Sequence, residues 1–143
     1  MKLDRIRRLL ELRERIESAA AGELAVSNRQ RNAAESRLEE SVTSMEMAAR
    51  GLRSTNSAGE RAVAQAWLDA RRQGVTQSQD ELVVAEDLVR AREAVMTDRR
   101  IERKKMERFL ELATEREQTE DRRKERSTLD EIALHRFAWS SAE

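Results

Sequence analysis

The sequence predicts an all-α fold: a long antiparallel two-helix coiled-coil hairpin with a short helix near the turn. Three observations carry that expectation. The 143-residue chain has no proline and four glycines, while the residues that long helices favour (Ala, Leu, Glu, Arg and Gln) are abundant. Charged residues make up 39% and aromatic residues 3%, so large side chains are too few to fill a globular core. Apolar residues nevertheless recur at spacings of three and four through most of the length, which sets the chain apart from a disordered one of similar polarity.

The first helix is expected over about residues 3–53. Ile6, Leu9, Leu12 and Ile16 form one stripe, and Leu38, Val42, Met45, Ala49 and Leu52 form a second with coiled-coil spacing. Between them the face weakens to alanines, Leu24 and the polar run SNRQRN. Gly22 costs roughly 1 kcal/mol against alanine inside a helix. Charge pairs four apart, such as Asp4–Arg8, Glu11–Arg15 and Glu46–Arg50, offset a little of that.

RSTNSAGERA then breaks the pattern, and Ser57 with Glu60 has the spacing of a capping box. A turn and a short helix are expected over about 54–77. Gly74 weakens the pattern there, and a second box at Ser78 and Glu81 would open a helix over about 78–137, with a frayed tail at 138–143. The whole, 1–143, is predicted as one elongated coiled-coil domain. With level chain ends, facing residue numbers would total roughly 140 by the constant rise per residue. Leu52 would then face Leu88, Met45 would face Val95, and Ile6 and Leu10 would face Ala133 and Leu129. Residues 114–128, TEREQTEDRRKERST, carry no apolar side chain at all, and a helix there has no face to bury.

Composition excludes several function classes. The 28 basic and 28 acidic residues cancel, so no global field draws the protein to nucleic acid or anionic lipid. DRRIERKKMER has six basic residues among eleven, but Glu102 and Glu107 interrupt it and no base-reading Asn accompanies it; it reads as a solvated helix face. His135 is the only histidine and cysteine is absent, so neither an acid–base site nor a metal centre is expected, and no cofactor. The basic opening lacks the apolar stretch of a signal peptide, and no segment approaches the ~20 apolar residues of a membrane span. The expectation is a cytoplasmic protein that is not an enzyme, inserts in no membrane and binds neither nucleic acid nor metal. Trp67 in AQAWLDA is the most specific single residue. Its two readings are an anchor for a partner and a cap on the hairpin turn, packed on Leu52 or Leu82.

Three stretches together resemble the FliJ family, the cytoplasmic stalk of the flagellar type III export apparatus: LLELRERIE at 9–17, RIERKKMERFLELATERE at 100–117 and RRKERSTLDEIALHRF at 122–137. The resemblance rests on the opening motif and the LDEIA close, and the injectisome counterpart fits the close less well. It implies a fold similar to the central stalk of rotary F-type ATPases. It also implies that the paired chain ends insert into the hexameric export ATPase and that the far end reaches the cytoplasmic domain of the membrane export gate. On that resemblance, Leu9, Leu12, Arg13 and Ile16 with Leu129, Ile132, Ala133, Arg136 and Phe137 would face the ATPase, and Trp67 and Leu68 the gate. Export chaperones are a further partner class, and the location implied is peripheral to the export apparatus at the inner membrane. The rival reading is a generic coiled-coil adaptor or export chaperone, in the first case a parallel dimer of long helices.

Overall fold

The computed structural model describes Lys2–Ser140. Among these residues there are two helices, α1 (Lys2–Arg53) and α2 (Ala58–Ser140), joined by residues 54–57. No short helix stands apart near the turn. α2 runs through Gly74 and Ser78 without a break, because neither residue supplies a stop: no described glycine has positive φ, and Ser78 is turned inward. The expected frayed tail divides accordingly. Residues 138–140 are helical, and 141–143 lie outside the described residues.

The turn forms where the capping signals place it. The Glu60 N–H donates to Ser57 Oγ at 3.1 Å, and Glu60 returns a carboxylate oxygen to the Asn56 N–H at 3.1 Å. That answers orphan donors at the start of α2. At the end of α1, the hydroxyls of Ser54 and Thr55 donate to the carbonyls of Gly51 and Leu52 at 2.9 and 2.8 Å. Both helix ends at the turn are thereby satisfied by local side chains.

The helices are shared between two packed units, residues 17–99 and residues 1–16 with 100–143. In the first, the two strands of the hairpin pair antiparallel in a register fixed by cross-helix contacts. Ser41 Oγ and Ser78 Oγ share a hydrogen bond of 2.9 Å, Arg37 reaches Glu81 at 3.3 Å, and Arg92 pairs with Glu23. Facing numbers therefore total about 119, not 140, as counted along helices of constant rise. The difference is about three heptads. Leu52 and Met45 do not face Leu88 and Val95; counted from Ser41–Ser78, they lie level with Leu68 and Val75.

The seam of this unit has an unexpected composition. On α1 it passes through Ala20, Ser27, Ala34, Ser41 and Ala48, a small residue at every seventh position, all buried except the half-buried Ser41. Leu24, Arg31, Leu38, Met45 and Leu52, all half-buried, alternate with them. On α2 the seam carries Leu68 and Val75, both buried, then Ser78, Leu82, Ala85 and Val89. Large residues on one side meet small ones beside them, so the backbones can approach closely while aliphatic side chains fill the gaps. The expected stripe of Val42 and Ala49 is one position off: the seam takes Ser41 and Ala48.

In the second unit, α1 supplies Leu3, Ile6, Leu10 and Arg13, and α2 supplies Met106, Leu110 and Ala113, all half-buried. Arg13 approaches Glu102 at 3.9 Å. Leu3 and Ile6 share a recess with Phe109, Leu112 and Ala113. Ile6 is thus packed near Phe109 and Ala113, and Leu10 lies level with about Met106, not against Ala133 and Leu129.

Candidate functional site: two exposed apolar surfaces

Among the described residues no cluster of metal-capable side chains forms, and no helix is long and apolar enough to cross a membrane. The chemistry available lies instead in apolar side chains held in water.

The first such surface is the end of α2. Every described residue from Glu115 to Trp139 is exposed. By the register of Leu3 and Ile6, no described α1 residue stands opposite α2 beyond about Glu120. Residues 115–126 carry five acidic and five basic groups, and Lys124 pairs with Asp121 at 3.7 Å. A helix surrounded by water needs no apolar face and gains from such local pairs. The polar run of 114–128 has this cause: it is a length of unaccompanied helix.

Beyond it the apolar residues return on an exposed helix. Leu129 is 66% exposed and Phe137 is 73% exposed, with Ile132, Ala133 and Arg136 between them on the same face. Their phase is informative. At ~100° per residue, this stripe lies roughly 140° around α2 from the seam direction set by Met106, Leu110 and Ala113. A longer α1 would therefore not cover it. Leu134 and Trp139, also exposed, widen the apolar end. Sequence reasoning passed over both, although their size alone marks them.

The N-terminal candidates are differently placed. Leu9 and Leu12 are exposed, on the outer side of α1, whereas Arg13 and Ile16 are half-buried at the seam. Leu9 lies near the level of Phe109, about 20 residues before Leu129, which is ~30 Å of helix. The two candidate groups share a unit but do not form one composite patch. The chain ends are staggered because α2, with 83 residues, outlasts the 52 of α1.

The second surface is at the turn. A recess of about 740 Å³ opens between the helices, floored by Ala48, Gly51, Gly59 and Ala64 and walled by Met47, Val63 and Trp67. A Cβ placed on Gly51 or Gly59 would meet nothing within 4 Å. Trp67 is 56% exposed and carries the Arg71 guanidinium over its ring at 4.3 Å. Its neighbour Leu68 is 3% exposed and fills the seam. Leu68, not Trp67, is the large side chain that closes the hairpin here, and Leu68 is not at the surface to meet a partner. Met47 and Val63 were missed in the sequence; their signal is that they are apolar yet off the seven-residue seam.

The fold is a helical hairpin that bears exposed apolar surfaces at the end of α2 and at the turn. Comparison with known families sharpens this. The sequence pattern of the family described as "Flagellar FliJ protein" matches residues 1–141, and the chain belongs to that family. Comparison with curated proteins and with solved structures gave no match. Membership makes the chain a component of flagellar protein export.

Proposed function

We propose that the chain is the stalk that couples the export ATPase to the membrane export gate, with the end of α2 docking on the ATPase hexamer and the turn docking on the cytoplasmic domain of the gate. The observation that carries this reading is the apolar stripe of Leu129, Ile132, Ala133 and Phe137, exposed on the side of α2 turned away from the seam. Solvent-exposed apolar side chains in such a cluster contribute nothing to the hairpin and are costly to leave wet, which is the signature of a docking surface. Arg136 on the same face supplies an ion-pairing group at its centre.

The polar helix of 115–126 keeps this stripe clear of the hairpin. Exposed ion pairs contribute only about 0–1 kcal/mol each, so the spacer adheres weakly to whatever surrounds it. Binding at the stripe would then promote assembly or turnover of the ATPase ring, and Leu9 and Leu12 form a second, lesser contact on the outer face of α1. Gate docking uses Trp67 in place of the buried Leu68, and export chaperones are a further partner class. The location this requires is the cytoplasmic face of the export apparatus, at the inner membrane but not in it.

A pull-down with the ATPase tests the reading. Leu129→Ala with Ile132→Ala should weaken binding about tenfold or more, equivalent to at least ~1.4 kcal/mol, with the helical signal unchanged. Undiminished binding would remove the stripe from the ATPase contact. Trp67→Ala should impair gate binding and spare the ATPase; loss of both would overturn the division into two docking surfaces.

A further inference from the structure

The recess at the turn has a shape and a charge pattern that specify its occupant. On α1 its lining residues fall at 44, 47, 48 and 51, and on α2 at 59, 60, 63, 64 and 67. Both sets step by three and four, so the recess follows the two helices for two turns, about 10 Å. It is a groove between parallel walls, with a floor of alanine and glycine that lets a backbone approach. That is the shape that receives a third helix, not an extended strand or a compact small molecule.

Beside it, sharing Ser44 and Met47, a smaller recess along α1 includes Glu39 and Glu40. Along the same face, Arg37 is paired with Glu81, and Arg71 lies over Trp67. Arg37 is ion-paired and Arg71 shares a recess with Glu40, whereas neither Glu39 nor Glu40 is in an ion pair among the described residues. The unit of residues 17–99 carries eleven basic and fourteen acidic groups, a net charge of −3. Carboxylates left open beside an apolar groove favour a cationic partner and repel an anionic one.

We infer that the groove at the turn binds a short amphipathic helix with apolar residues at i, i+3 or i+4, and i+7 and with Lys or Arg along its flank. The inference rests on the turn being a docking end and names the chemistry of what docks there. Met47, Val63 and Trp67 take the apolar side chains, and Glu39 and Glu40 take the basic ones.

The test uses the full chain with Trp139→Phe, so that Trp67 is the sole tryptophan. Two designed amphipathic peptides of about 18 residues, with Leu on one face and either Lys or Glu on the other, are titrated in about 0.1 M salt. The Lys peptide should shift Trp67 emission to the blue and bind about tenfold tighter than the Glu peptide or better. Gly51→Leu, which fills the groove from a position with open space around it, should lower affinity about tenfold while leaving the melting temperature unchanged or higher. Glu39→Gln with Glu40→Gln should weaken the Lys peptide alone. Equal affinity for the two peptides, or full binding by Gly51→Leu, would overturn the inference. Gate binding by the same Gly51→Leu chain is read separately: retained gate binding with the peptide lost supports the groove and takes the gate out of it.

Discussion

Trp67 and Leu68 are adjacent in sequence and opposite in role, because successive helical residues point about 100° apart. Leu68 faces the seam and is buried; Trp67 faces the groove. Leu68→Ala should therefore cost about 2–5 kcal/mol, measured by urea unfolding. Trp67→Ala should cost no more than about 1 kcal/mol by the same measurement, since only an exposed ring and its Arg71 contact are lost. The Ser41–Ser78 hydrogen bond gives a second contrast. Either serine changed to Ala alone leaves a part-buried hydroxyl without its partner, and about 1 kcal/mol of stability should be lost. The double Ala variant removes both hydroxyls and should be less destabilised than the two single losses added together, a coupling that a double-mutant cycle reads directly. The glutamate of the capping box was legible at this scale because the S-x-x-E spacing is a local signal. Ser78–Glu81 has the same spacing and caps nothing, since its serine already has a partner across the seam.

At the scale of the element, α2 divides into a part that packs and a part that does not. Apolar periodicity predicted helix over most of α2, though divided near Gly74, but periodicity does not say whether a facing helix is present. The polar run of 114–128 looked like a helix with no purpose for its faces, and the reason is that α1 gives out beside it. Residues beyond Glu120 make no described contact with α1, so they should contribute little to hairpin stability. Deleting 121–143 should leave the thermal midpoint within about 3 °C of the full chain, equivalent to less than ~1 kcal/mol for a domain this size. Ellipticity should fall only by the share of the residues removed, and ATPase binding should weaken by more than in the Leu129→Ala, Ile132→Ala chain, leaving at most the lesser contact of Leu9 and Leu12. A larger fall in midpoint would mean that the segment packs on the hairpin. The seam of α1 was misread for a related reason. Ala20, Ser27, Ala34 and Ser41 are small or polar, and a search for large apolar stripes passes over them and settles on Leu9, Leu12 and Val42.

For the whole molecule, the test is register. Cysteines at Ser41 and Ser78 should form an intramolecular disulfide on mild oxidation, because their side-chain oxygens already lie 2.9 Å apart. Cysteines at Leu10 and Leu129, which level chain ends would bring together, should form none within a chain. A disulfide-linked dimer from the first pair would favour the parallel-dimer arrangement instead. What the sequence determined by itself is local. Helix formation, the break after Arg53 with its Ser57–Glu60 cap, the family and the exclusion of a large core all follow from residue types and short spacings, whereas the short helix expected over 54–77 did not. Register was decided only by tertiary structure. A seven-residue pattern looks the same after any slip by whole heptads, and the expected and observed pairings differ by about three of them. The choice among such slips rests on many weak layers acting together, small against large and Ser41 against Ser78, and on a turn closed within residues 54–57. That choice also leaves α2 beyond about Glu120 with no described α1 residue opposite it.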